Sequence, residues 1–177
     1  MLRIAFRYGA IAGAIIVAVL IAGIIAADAH QARSSVFSSE WFGYTIMLAA
    51  LSTIFLAVRD YRNKNLGGVI KFLPAFGLGL SIAAIAGFAY VIGWEIYLYA
   101  THYTFADQYA GAIIEHARRA GTSVAAATAA AQSFKASYAN PLVRVAMTFL
   151  EIFPVGLMIA LISAAILRNP KVLPARG

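Results

Sequence analysis

Four long apolar runs constrain this chain more than anything else in it, because no water-soluble core could hide all of them. They cover 8–27, 41–58, 73–100 and 145–167. A helix rises roughly 1.5 Å per residue, so each run reaches across most or all of a hydrocarbon layer about 30 Å thick. Composition agrees, with 62% apolar and only 12% charged residues, against roughly 45–50% and 25% in soluble domains. The expected fold class is all-α: a four-transmembrane-helix bundle. The spans and their connections use nearly all of the 177 residues, so a single integral membrane domain over 1–177 is expected, with no separate soluble domain.

The runs are unequal. Arg3 and Arg7 precede the first, and Ala27-Asp28-Ala29 has the small-x-small form of a signal-peptidase site. The run exceeds the usual signal-peptide core of about 7–15 residues, so a retained span is expected. The third would be about 42 Å long and must tilt or project into the headgroups. Its end carries Trp94, Tyr97, Tyr99 and Tyr103, residue types that favour the interface.

Between the third and fourth runs, about 104–139, the pattern predicts a helical hairpin. Thr104 and Asp107 have capping-box spacing, and Phe105, Tyr109, Ile113 and Ala117 then fall on one helical face. Gly121 stops that helix. A second begins near Thr122 or Ser123 and places Val124, Ala127, Ala131, Phe134 and Tyr138 on one face, before Asn140-Pro141 opens the fourth span.

Nine of the 14 Lys and Arg lie with the N-terminus, the Arg59–Lys71 segment and the C-terminus. The positive-inside rule then puts both termini in the cytoplasm and the hairpin on the extracytoplasmic side. The cations flank apolar runs, which suits anionic lipid headgroups on the cytoplasmic face, with Arg59, Arg62, Lys64 and Lys71 as the candidate contacts; no nucleic acid is expected as a partner. No cysteine is present, so a disulfide framework and thiolate chemistry are excluded. His30, His102 and His116 show no metal-site spacing, and no phosphate loop, nucleophile elbow or zinc-protease motif occurs. No catalytic residue, cofactor or metal is expected.

Several strings together resemble an uncharacterised bacterial membrane family, domain-of-unknown-function family 4199. They are Gly43-Tyr44 through Leu48, Tyr61-Arg62 to Gly67-Gly68, Tyr90-Val91-Ile92-Gly93-Trp94-Glu95, and Asn140-Pro141 leading into Thr148 through Gly156. The likeness covers about Phe6 to Pro170. It implies a four-helix protein of the bacterial cytoplasmic (inner) membrane and carries no activity.

Glu95 and Glu151 are the carboxylates within the spans, and a charge at membrane depth is costly enough to mark a candidate site. If they face each other, one could hold a proton or both a cation. Otherwise Glu95 reaches headgroups or water, while Glu151 bonds a neighbouring helix through Tyr44 or Thr148. Arg144 could neutralise either. Pro154 removes an amide from the fourth helix, frees the Leu150 carbonyl and is a candidate kink. Rows of small residues, Ala10 through Ala26 beside Gly9 and Gly13, then Gly79, Ala83 and Gly87, then Gly156, Ala160 and Ala164, allow close helix packing, either within the bundle or between copies.

Three functions fit. One is a transport-related or membrane-assembly subunit, as a homo-oligomer or with a membrane-protein partner. Another is a non-transporting interaction protein that binds through its outer hairpin. The third, a lipid-acting membrane enzyme using the two carboxylates, lacks a nucleophile, a metal cluster and a phosphate clamp.

Overall fold

The computed structural model describes residues 1–29 and 40–174, with side chains over 1–23 and 43–174. Asp28, His30 and Glu40 lie outside the described side chains. The elements are α1 (Leu2–Ala29), α2 (Glu40–Leu51), α3 (Thr53–Asn65), α4 (Phe72–Ala100), α5 (Phe105–Arg119), α6 (Val124–Tyr138) and α7 (Pro141–Leu167). Among the described residues there is no strand. Four stretches are long and apolar enough to cross a membrane: Leu2–Gly23, Gly43–Asn65, Phe72–Ala100 and Pro141–Leu167. A helix satisfies its own backbone hydrogen bonds, and that is what lipid demands of such a run. The chain is an all-helical membrane protein.

Several helix ends run beyond the sequence expectation, whereas Ala100 and Leu167 fall where expected. α1 starts at Leu2 rather than Tyr8 and carries Arg3 and Arg7 as helical residues. The second span runs on past Val58 to Asn65, so Arg59, Asp60, Arg62 and Lys64 are helical rather than loop residues. Lys64 pairs with Asp60 at 2.7 Å, one turn apart, a spacing that supports a helix. Gly67 and Gly68, at φ 63° and 92°, then end it. α7 starts at Pro141, whose missing N–H costs nothing in a first turn, and the Asn140 Oδ1 accepts the Leu142 N–H at 3.0 Å. Within the second span, the Ser52 hydroxyl donates to the Ala49 carbonyl and the Thr53 hydroxyl to the Ala50 carbonyl, both at 2.6 Å. These local bonds compete with the helix ladder and separate α2 from α3.

The chain divides into two compact units, Met1–Gly93 with Phe149–Gly177, and Trp94–Thr148. In the first, backbones approach closely at small residues. A Cβ on Gly13 would lie 2.5 Å from the Ala89 Cβ and 3.0 Å from the Ala86 carbonyl oxygen. One on Gly79 would lie 2.8 Å from the Ala160 Cβ. The expected rows on α4 and α7 therefore pack within the chain. On α1 the buried positions are Ala5, Ala12 and Ile16 beside Gly9 and Gly13, whereas Ala14, Ala18 and Ala22 are exposed. From Ala14 to Ala22 the expected row is thus not the face that α1 packs inward. Ile54, Leu78, Ile82, Ile152 and Leu167 complete this core, each fully buried or nearly so.

In the second unit α5 and α6 pack through their apolar stripes. The Tyr109 and Phe134 rings lie 4.8 Å apart and those of Phe105 and Tyr138 5.8 Å apart, with Asp107 and Lys135 forming an ion pair across them. Ser123 caps α6, accepting the Ala126 N–H at 3.3 Å. Gly121, at φ 67°, ends the α5 segment. The expected capping box at Thr104 does not form: Thr104 sits in helical backbone conformation and its side chain makes no cap bond. An N-cap side chain reaches the N–H groups from an extended conformation, and Asp107 is engaged by Lys135 instead.

α4 ends in a turn that glycine would ordinarily make. The Tyr103 N–H reaches the Leu98 carbonyl at 2.8 Å and the His102 N–H the Tyr99 carbonyl at 3.2 Å, with His102 at φ 51° and Tyr103 at φ 58°. That is the helix-terminating pattern whose left-handed residue is usually glycine. His102→Gly is expected to stabilise the second unit by about 1 kcal/mol and His102→Val to cost at least that much. Thermal unfolding in detergent would measure both, and an unchanged midpoint for the valine variant would contradict the strain.

Candidate functional site

The strongest polar construction lies in the second unit. Arg144, in the first turn of α7, is 6% exposed, and its guanidinium forks onto Glu95: Nε donates to Oε1 at 2.7 Å and Nη2 to Oε2 at 2.8 Å. Its Nη1 donates to the Tyr138 carbonyl at 3.2 Å. The guanidinium carbon also lies 5.1 Å from the Tyr103 ring centre and 5.8 Å from that of Tyr138. Planarity and five donors allow arginine to use carboxylate, carbonyl and ring faces at once. Thr148 is buried and donates its hydroxyl to the Arg144 carbonyl at 2.9 Å, a bond internal to α7. The Trp94 indole donates to the Tyr138 hydroxyl at 2.7 Å, and Phe105 meets the Trp94 ring edge-on at 4.9 Å.

Glu151, in the first unit, has a different partner. The Tyr90 hydroxyl donates to its Oε2 at 3.3 Å. Tyr90 is buried at 2% exposure, whereas Glu151 itself is exposed. It stands 16 residues before Leu167, about 24 Å along the helix, which is less than the roughly 30 Å of hydrocarbon a span must cross. Leu150 at 62% and Met158 at 60% are exposed nearby on α7. Pro154 is also exposed, and α7 continues through it. It has no N–H to offer the Leu150 carbonyl. Tyr44, a candidate partner for Glu151, is 48% exposed, and Tyr90 holds that carboxylate instead.

The four candidate headgroup cations separate. Lys64 and Lys71 are exposed. Arg59 is half-buried, and its Nε has no hydrogen-bond partner among the described residues. Arg62 corrects the expectation: it is fully buried. Its Nη1 donates to the carbonyls of Val172 at 2.9 Å and Leu167 at 3.4 Å, its Nη2 to that of Leu173, and its Nε to Asn63 at 2.9 Å. The last carbonyls of a helix lack intrahelical donors and carry partial negative charge, so Arg62 caps the end of α7 and cannot face a headgroup. A segment read as a solvated loop conceals a helix with one inward face, and that face carries Arg62.

Sequence reasoning did not single out Tyr90, Tyr138 or Asp60. Tyr90 stands five residues before Glu95, and no sequence signal separates it from the other tyrosines in the chain. Asp60 binds Lys64 and accepts the Tyr8 hydroxyl at 3.2 Å; its four-residue spacing from Lys64 was the available clue. Among the described residues no three acidic or histidine side chains come together as a metal site.

No curated protein and no solved structure matches this chain. The model of the family described as "Protein of unknown function (DUF4199)" matches residues 7–169, and the chain belongs to that family.

Proposed function

We propose that this protein is a multi-pass subunit of an assembly in the bacterial cytoplasmic membrane, with both termini cytoplasmic, the α5–α6 hairpin outside and no enzymatic activity of its own. The observation that carries this reading is the exposure of Glu151 at membrane depth. An ionisable side chain there ordinarily faces protein or a wet cavity. Glu151 and the Leu150 carbonyl, which Pro154 leaves without its usual donor, give α7 two hydrogen-bond acceptors. The partner is therefore a membrane helix that brings a hydrogen-bond donor, from a second copy or another protein. Transport through a carboxylate pair has less support, because Arg144 already holds both oxygens of Glu95.

The test places a photo-crosslinking residue at Leu150 or Met158, with Leu56 on α3 as the comparison, in native membranes. Discrete protein adducts from the α7 positions, reduced about fivefold by Glu151→Leu, are expected. Because that substitution also removes the bond from the buried Tyr90 hydroxyl, thermal unfolding of the variant in detergent is measured beside it, and a wild-type midpoint excludes misfolding. Lipid adducts alone would sink the proposal.

A further inference from the structure

A second polar feature of the first unit is independent of Glu151. A cleft of about 230 Å³ opens between the first turns of α1 and the last turns of α3, lined by Arg3, Arg7, Tyr8, Asp60, Lys64 and Asn65 among others. Three cations face one carboxylate there. Asp60 is already shared, accepting from Lys64 at 2.7 Å and Tyr8 at 3.2 Å. Arg3 and Arg7 are exposed, and among the described residues neither has an ion-pair partner. They stand four residues apart, on one face of α1, where like charges repel. A cleft that holds two unpaired guanidiniums beside a lysine and an amide is electrostatically incomplete without an anion.

The dimensions and location narrow the anion. The volume is below the roughly 300–1,000 Å³ of pockets that enclose drug-sized ligands, so the cleft suits one small anionic group. Guanidinium forks match phosphate oxygens in pairs, and lysine adds a point charge. The cleft lies where two membrane-crossing stretches end, Leu2–Gly23 at its start and Gly43–Asn65 at its finish, which is the level of lipid headgroups. We infer that this cleft is a phosphate-binding site in which Arg3 and Arg7 grip the oxygens, Lys64 adds charge, and Asp60 holds Lys64 and Tyr8 in place. The phosphate is a phospholipid headgroup or the free ion.

The experiment titrates the full-length protein in phosphatidylcholine nanodiscs with fluorescent phosphatidylglycerol. Arg3→Gln/Arg7→Gln should weaken binding about tenfold, while Arg3→Lys/Arg7→Lys, which keeps the charge but loses the forks, should give an intermediate loss. Arg168→Gln/Lys171→Gln removes the same charge from exposed residues after α7 and should change binding less than about twofold. Displacement of the labelled lipid by millimolar inorganic phosphate assigns the site to the free ion; resistance to displacement assigns it to the headgroup. Equal losses in the two glutamine variants would reduce the effect to diffuse surface charge and overturn the site. Wild-type affinity in Arg3→Gln/Arg7→Gln would overturn it as well.

Discussion

Arg144→Met is expected to destabilise the 94–148 unit by about 2–3 kcal/mol, toward the lower side of what breaking a buried ion pair costs, because Glu95 keeps partial exposure. The Glu95 side chain is 28% exposed and that of Arg144 8%. Methionine fills much of the arginine volume but leaves the carboxylate with neither of its two short donors, and the Tyr138 carbonyl loses the bond from Nη1. Glu95→Gln should cost less, because Arg144 keeps the Tyr138 carbonyl and both aromatic faces. Combining the two removes the uncompensated charge, so the double variant should be more stable than the sum of the single effects. Protease resistance of the unit in detergent would measure all three. Strictly additive losses would mean that the fork contributes nothing beyond its separate halves.

Gly79→Leu is expected to cost about 3 kcal/mol or more, at or beyond the upper end for overpacking a core. The first atom of the new side chain would already lie 2.8 Å from the Ala160 Cβ, 3.1 Å from its Cα and 3.1 Å from the Ile54 Cγ2. Ala160 has no rotamer with which to yield, so α4 and α7 must move apart. Gly77→Leu is the comparison: nothing lies within 4 Å of a Cβ built there, and a change of less than about 0.5 kcal/mol is expected, as for surface substitutions generally. Thermal unfolding of the two variants in one detergent separates close approach from a general effect of losing glycine. Similar midpoints would refute the steric argument.

The spans were legible because lipid leaves an apolar run one common solution, so length and composition were enough. Their ends were not, because charged residues near an interface are as compatible with a helix that projects beyond the hydrocarbon as with a loop. Arg62 illustrates the difficulty: its position in a basic string suggests solvent, yet its rotation about α3 buries it. Glu95 and Glu151 could be recognised as costly exceptions, but their partners follow from helix rotation and packing. The chain contains nine tyrosines, and only three-dimensional placement selects Tyr90 for Glu151 and Tyr138 for Arg144. The row of alanines on α1 misled for the same reason, since small size permits a contact without specifying which face makes it.

The bonds of Arg62 also bear on the order in which the protein is made. Its acceptors at Leu167 and Leu173 lie 105 and 111 residues further along the chain. When a ribosome has delivered the second span, this guanidinium has only the neighbouring Asn63 side chain to bind, and its carbonyl partners arrive after two more spans are synthesised. Docking of the stretch that ends α7 then withdraws it from water, so residues translated more than a hundred positions later complete its bonding.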